Sequence, residues 1–147
     1  YPSHTVDRGG GLTWHGPGQL VGYPIFKWDL EGETSVAAII SLLEQWIIST
    51  LEDLGIKSSR DDRMQGVWVD DKKICSIGLS FLRWVSRHGF SINIDTPSGR
   101  VEGLAGCGLE SKTTTSLARL DYQISIEQFT QSLLKNMQST VNRIVRD

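Results

Sequence analysis

Two cysteines, three histidines and a pair of adjacent lysines hold most of the nucleophilic and proton-transfer chemistry open to this 147-residue chain. Cys107 stands in Ala105-Gly106-Cys107-Gly108. A thiol flanked by glycines is sterically open, and a reactive cysteine needs that access. Cys75 sits instead in the apolar alternating run Lys73-Ile74-Cys75-Ser76-Ile77, where a buried, inert thiol is expected. A nucleophilic thiolate also needs a base or a cation beside it. His4, His15, His88, Lys72 and Lys73 are the candidates. Spacing does not choose among them, because such partners meet in space rather than along the chain.

Other chemistries fit the sequence poorly. Arg8-Gly9-Gly10-Gly11 and His15-Gly16-Pro17-Gly18-Gln19 have the glycine density of phosphate cradles. Neither matches the P-loop or the dinucleotide fingerprint, since no Gly-Lys-Ser/Thr follows and no Gly-x-Gly-x-x-Gly joins a strand to a helix. Two isolated cysteines and three scattered histidines lack the ligand spacing of a zinc site. No carboxylate pair reads as a glycosidase dyad.

The elements that must position these residues follow from periodicity. Val36, Ile39, Ile40, Leu43, Trp46, Ile47, Leu51 and Leu54 recur at three- and four-residue spacing, so 34–54 is predicted to be a helix with Gly55 at its C-terminal cap. Ser125 and Gln128 form a capping box ahead of the stripe Ile126, Phe129, Leu133, Met137, Val141 and Ile144, predicting one helix over 125–145. Leu20 to Phe26 reads as a strand. Gly66-Val67-Trp68-Val69 and Lys73 to Leu79 read as a hairpin around Asp70-Asp71-Lys72. Ser86 to Ile94 alternates, with His88, Phe90, Ile92 and Ile94 on one face and Gly89, Ser91 and Asn93 on the other. Strand, helix, several strands, helix predicts an α+β fold with a mixed, largely antiparallel sheet and flanking helices.

Composition bounds the rest. The length fits a single domain over 1–147. A 39% hydrophobic and 22% charged chain is globular rather than disordered. No stretch approaches the ~18 apolar residues of a membrane span. A net charge of −2 removes the bulk electrostatic case for nucleic acid. Two cysteines are too few for a disulfide scaffold and suit a reducing, cytoplasmic setting.

Four segments together resemble the lipoyl(octanoyl) transferase family. They are Arg8-Gly9-Gly10-Gly11-Leu12-Thr13-Trp14-His15-Gly16-Pro17-Gly18-Gln19-Leu20-Val21-Gly22-Tyr23-Pro24; Gly66 to Val69 with Lys73-Ile74-Cys75-Ser76-Ile77-Gly78; His88-Gly89-Phe90-Ser91-Ile92-Asn93; and Cys107-Gly108 followed by Thr115 to Arg119. They occur in the family's order and span most of the chain.

The resemblance implies the biotin/lipoate ligase-like (class II synthetase-like) fold. It also implies an acyltransferase that moves an octanoyl group from octanoyl-acyl carrier protein to a lysine of lipoyl domains, those of 2-oxoacid dehydrogenases and of glycine cleavage H protein. Cys107 matches the cysteine that forms the acyl thioester, and Lys73 the lysine paired with it. The family's substrate-binding segments fall on Arg8, Gly9, Gly10, Gly11, Leu12, Thr13, Trp14 and His15, on Ser76, Ile77 and Gly78, and on Gly89, Phe90 and Ser91. No metal or organic cofactor is implied. Trp14 stands where the family usually has Tyr, and Gly106 where it commonly has Pro. The chain begins almost at the Arg-Gly-Gly motif, so the family's N-terminal stretch is expected to be lacking. Arg8, Arg83, Arg87 and Lys73 are expected to form a positive rim for acidic partners. Two other readings compete: an ATP-dependent lipoate–protein ligase on the same fold, which would not need Cys107, and a non-catalytic acyl- or carrier-binding remnant.

Overall fold

The computed structural model describes residue 5 and residues 14–61, 64–97 and 114–144. Its centre is a five-stranded antiparallel sheet of β1 (Gln19–Gly22), β2 (Ser59–Asp61), β3 (Met64–Val69), β4 (Lys72–Leu82) and β5 (Val85–Asn93), in the order β1-β5-β4-β3-β2. Helix α1 (Val36–Asp53) crosses one face, with α2 (Ile126–Lys135) and α3 (Met137–Val141) packed beside it. The α+β expectation with an antiparallel sheet and flanking helices is met.

Both ends of α1 follow from local chemistry. Ser35, in extended geometry, accepts from the Ala38 N–H and so satisfies one of the first-turn donors. At the other end Gly55 takes φ +78°, and the Gly55 and Ile56 N–H groups close on the Glu52 and Leu51 carbonyls. This is a Schellman closure, with Ile56 buried against the helix it ends. Most of the predicted stripe is buried: Ile39, Ile40, Leu43, Trp46, Ile47 and Leu51 form the core with Val67, Val69, Ile74, Cys75, Ile77, Phe90, Ile92 and Ile94 from the sheet, while Leu54 is partly buried and Val36 is exposed at the helix start.

Two predictions need correction. The helix expected over 125–145 breaks at Asn136, whose side chain donates to the Ser132 carbonyl and to Asp53 Oδ2, both at 2.8 Å. The amide thus trades helix continuity for a tie to the end of α1. Helix α3 then stops at Val141, with Asn142 left-handed, so Ile144 leaves the stripe and stands exposed. The strand expected over 20–26 ends at Gly22. Tyr23 to Phe26 instead curls through two tight turns around Pro24, which has no N–H to give a ladder.

The turns at the two ends of β4 each have two central residues at positive φ, Asp70-Asp71 between β3 and β4 and Arg83-Trp84 between β4 and β5. That is the turn geometry whose twist matches the flanking strands.

Candidate active site

A bulge sets the site's geometry. Along β3–β4, Val67 pairs with Cys75 but Trp68 pairs with Lys73, so Ile74 is the extra residue. Without it Lys73 and Cys75, two apart, would share a face. With it, the pleat sends Cys75 to the helix-covered face with Val67 and turns Lys73 to the opposite face with Trp68. Cys75 is wholly buried among apolar side chains. Burial pushes its thiol up to about 12, against a smaller lowering by Lys73 and a further rise from Glu44. The sequence reading of Cys75 as inert agrees.

The Lys73 side chain, 2% exposed, runs back over β3. Its Cε lies 3.2 Å from where a Cβ on Gly66 would stand, its Nζ donates to Met64 Sδ at 3.1 Å, and it lies 6.0 Å from the centre of the Trp68 ring. Gly66 is required twice over. Its φ is +143°, and a Cβ there would sit 2.2 Å from the Cys75 carbonyl oxygen. Its N–H is held at 3.1 Å by Glu44 Oε2, whose other oxygen accepts from Arg60 Nε at 3.2 Å. Glu44 is a buried carboxylate on α1 with both oxygens engaged, as burial demands. Its signal was present in the sequence, since an acid at position 44 interrupts the stripe between Ile40 and Ile47.

The same face continues across β4 and β5 as Ser76, Gly78, Gly89, Ser91 and Asn93, because Ser76 pairs with Ser91 and Gly78 with Gly89. Ile77 and Phe90, singled out with them in the sequence, point the other way into the core, where Phe90 meets Trp46 edge-on at 5.8 Å. Phe90 also lies against Gly22, where any Cβ would meet its ring at 2.3 Å. A side chain on Gly89 would meet the Gly22 carbonyl at 1.8 Å. These glycines let β1 close on β5.

The glycine-rich segment enters through a turn in which Pro17 and Gly18 are the central residues, Gly18 at φ +81°, and the Gln19 N–H reaches the Gly16 carbonyl. This is the type II pattern. Trp14 is buried over Gly16, and His15 is exposed beside Gln19. On the far side, Thr114 bridges Lys73 in parallel register, the Thr115 N–H donates to the Lys73 carbonyl at 2.9 Å, and Leu117 and Ala118 bond to Asn93 and Ile94. Residues 114–118, which follow Cys107 in the sequence, thus lie against the sheet at Lys73 and at the end of β5. Cys107 itself, Arg8, Gly9, Gly10, Gly11, Leu12 and Thr13 lie outside the described residues.

Of the expected positive rim, Arg8 lies outside the described residues, and Lys73 and Arg83 do not come together. Lys73 is buried, and Arg83 lies beyond the other end of β4, roughly 30 Å away at ~3.3 Å per residue. Among the described residues no group of three or more His, Cys, Asp or Glu side chains could hold a metal, and no helix is long and apolar enough to cross a membrane.

The family described as the lipoyl protein ligase A/B catalytic domain matches residues 1–138. The chain belongs to that family. Among curated relatives it is 45% identical over 124 residues to an octanoyltransferase of Solibacter usitatus, covering 84% of this chain and 55% of that protein. It is 39% identical over 142 residues to an octanoyltransferase of Christiangramia forsetii, covering 92% and 60%. The chain thus spans a little over half the length of these family members. Solved structures share the fold at low identity. A lipoate–protein ligase A bound with ATP superimposes with a TM-score of 0.69 at 13% identity, over 95% of this chain and 59% of that one. The biotin protein ligase of Aquifex aeolicus does so with 0.64 at 14%, over 84% and 52%. The fold is the biotin/lipoate ligase fold, as the sequence resemblance implied.

Proposed function

We propose that this chain carries the catalytic centre of an octanoyltransferase that accepts an octanoyl group from octanoyl-acyl carrier protein as a thioester on Cys107 and passes it to a lysine of a lipoyl domain, in the cytoplasm. The observation that carries the reading is the seat of Lys73: a buried amine on the glycine-lined face of the sheet, its backbone held by Thr114 and Thr115, which follow Cys107 in the sequence. The names of the octanoyltransferase relatives support the same activity.

The chemistry is consistent. Thioester exchange between the carrier thiol and Cys107 exchanges like for like, so the transfer divides into two accessible steps. In the first, the Cys107 thiolate attacks the octanoyl carbonyl and the carrier thiolate leaves, taking a proton. In the second, the acceptor amine attacks the Cys107 thioester, loses a proton, and the Cys107 thiolate leaves. Lys73 has the role of favouring thiolate as ammonium and of taking the amine's proton when neutral. Gly78 and Ser91 put little side chain on that face, which suits an unbranched acyl chain.

Intact-mass analysis after mixing the protein with octanoyl-acyl carrier protein, without acceptor, tests this. The expected result is one added octanoyl group that persists in Cys75→Ser and vanishes in Cys107→Ser. No adduct, together with ATP-dependent attachment of free lipoate, would replace the transferase with a ligase. Binding of the carrier without any turnover would leave only an acyl-binding protein.

A further inference from the structure

Three amide and imidazole groups form a line between segments that the proposed transfer must hold together. Asn93 Nδ2 donates to the Thr115 carbonyl at 3.1 Å, Gln19 Nε2 donates to Asn93 Oδ1 at 2.8 Å, and Gln19 Oε1 lies 2.8 Å from His15 Nδ1. Thr115 in turn donates its N–H to the Lys73 carbonyl.

The direction of this line follows from its far end. A backbone carbonyl only accepts, so the Asn93 atom facing Thr115 must be the NH2 group, which leaves its oxygen toward Gln19. An amide oxygen there requires the Gln19 NH2 group, which leaves the Gln19 oxygen toward His15. An oxygen facing Nδ1 requires a proton on Nδ1. In the neutral ring the lone pair then belongs to Nε2. The chain of donors is anchored at a buried residue, since Asn93 is only 5% exposed. Free imidazole in water favours the other tautomer, so this one has to be imposed.

We propose that Gln19 and Asn93 are positioning residues that lock His15 as its Nδ1–H tautomer and tie the glycine-rich segment to β5 and to the segment that follows Cys107. The neutral His15 ring then carries its acceptor at Nε2, and the three segments keep one relative geometry. Gln19 and Asn93 have this role without touching the reacting atoms. The inference about transfer rests on the octanoyltransferase reading; the inference about the tautomer does not.

The two residues can be separated by substitution. Gln19→Met removes the lock on His15 and leaves the Asn93–Thr115 bond. Asn93→Asp still accepts from Gln19 but has no proton for Thr115, so it breaks the tie and leaves the lock. The first measurement is the long-range proton–nitrogen NMR correlation of the histidine rings in uniformly 15N-labelled protein, above the pH where histidine titrates, with His15→Gln used to assign the signal. The expected result is a proton on Nδ1 of His15 in the wild type and in Asn93→Asp, and a shift toward Nε2–H in Gln19→Met. The second is the rate of octanoyl attachment to Cys107, expected to fall about tenfold in each variant, the equivalent of ~1.4 kcal/mol and of one hydrogen bond. A wild-type His15 protonated on Nε2, or a tautomer unmoved by Gln19→Met, overturns the lock. Unchanged attachment rates in both variants overturn the positioning role. Absence of any attachment in the wild type sinks the octanoyl reading instead, and the NMR result still decides the lock.

Discussion

The two ends of β4 bury polar groups to different ends. At its start, Lys73, Asn93, Thr115 and Ser91 are all under a tenth exposed and come from three separate stretches of chain. They meet where a bulge, a glycine with no room for a Cβ and a thioether contact shape one face of the sheet. Beyond its other end, Ser86 accepts from the Phe26 N–H at 3.2 Å and from Trp28 Nε1 at 2.8 Å, and donates to the Pro24 carbonyl. Glu33 takes Arg143 on both oxygens at 2.9 Å and the Leu30 N–H at 3.1 Å, while the guanidinium stacks on Phe26 and Trp28 with its carbon 5.0 and 4.5 Å from their ring centres. Arg143 further donates to the Lys27 and Val141 carbonyls at 2.7 Å. This far end is a clamp that fastens the curled 23–33 segment to the C-terminal helices. The far end invests its buried polar groups in stability, the near end in the face that the proposed transfer would use.

The clamp should therefore be where stability is most easily lost. Arg143→Ala leaves Glu33, a side chain 3% exposed, as a buried carboxylate without its cation. Removing one partner of such a pair costs about 3–5 kcal/mol. Urea unfolding of Arg143→Ala is the check, beside Lys73→Met, which swaps the amine for an apolar chain of similar length and should cost far less stability while ending transfer. Equal losses in the two variants would erase the distinction. The pair also sets an acid limit. Hydrogen bonding from Arg143, against a smaller opposing effect of burial, holds the Glu33 carboxyl below the usual range near 4.5. A depressed folded value means the stabilisation is present above the ordinary carboxyl range and is lost as pH falls through the folded value. Wild type should thus lose stability on acidification more steeply than Glu33→Gln.

The start of β4 has its own limit at the opposite end of the scale. The Cys75 thiol is raised from 9.0 to about 12, mainly by burial. Below pH 9 the thiol is neutral in both folded and unfolded chains, and the stabilisation is whole. Above it the unfolded chain ionises first, so stability declines as pH rises toward 12, by at most about 1.4 kcal/mol per pH unit from this group. Unfolding of wild type and Cys75→Ala at pH 8 and pH 10.5 measures the slope. A wild type no more alkali-sensitive than the alanine variant would mean that Cys75 is not sealed in the core. The same seal predicts that mild alkylation of the native protein spares Cys75.

How much of this was legible beforehand differs between the ends in the same way. The helix stripe, the capping box and the hairpin at Asp70-Asp71 rest on local pattern, and the sequence shows them directly, whereas the short β2 carried no such signal. The break at Asn136 and the early end of β1 depend on partners far along the chain, Asp53 for the amide and Ser86 for the hydroxyl that receives the curled segment. Lys73 was singled out by resemblance, but only the bulge at Ile74 separates its face from that of Cys75, and alternation alone would have put them together. Glu44 stood out as an acid in an apolar stripe, whereas Asn93 read as an ordinary strand residue and Gln19 as the end of the glycine-rich segment until register paired them. Arg143 and Glu33, spaced 110 positions apart, carried no sequence signal of their pairing.

The smallest effect separates the two turns that bound β4. Asp70 and Asp71 stand at φ 50° and 62°, Arg83 and Trp84 at 51° and 63°, so the backbones are nearly alike. A residue with a Cβ is strained there, and glycine is not. At the start of β4 nothing offsets that strain, because Asp70 and Asp71 are exposed. Asp71→Gly should stabilise the protein by about 0.5–1 kcal/mol. At the other end Trp84, although 45% exposed, faces Phe81 with ring centres 6.5 Å apart. Such a ring pair contributes about 0.5–1.5 kcal/mol beyond its buried area, so Trp84→Gly should lose more through contact than it gains in backbone ease. Opposite signs in thermal unfolding are the expected result. If both glycines stabilise, the Phe81–Trp84 ring contact adds nothing net, and that turn contributes to the clamp only through its backbone, where the Trp84 carbonyl accepts from the Trp28 N–H at 2.8 Å.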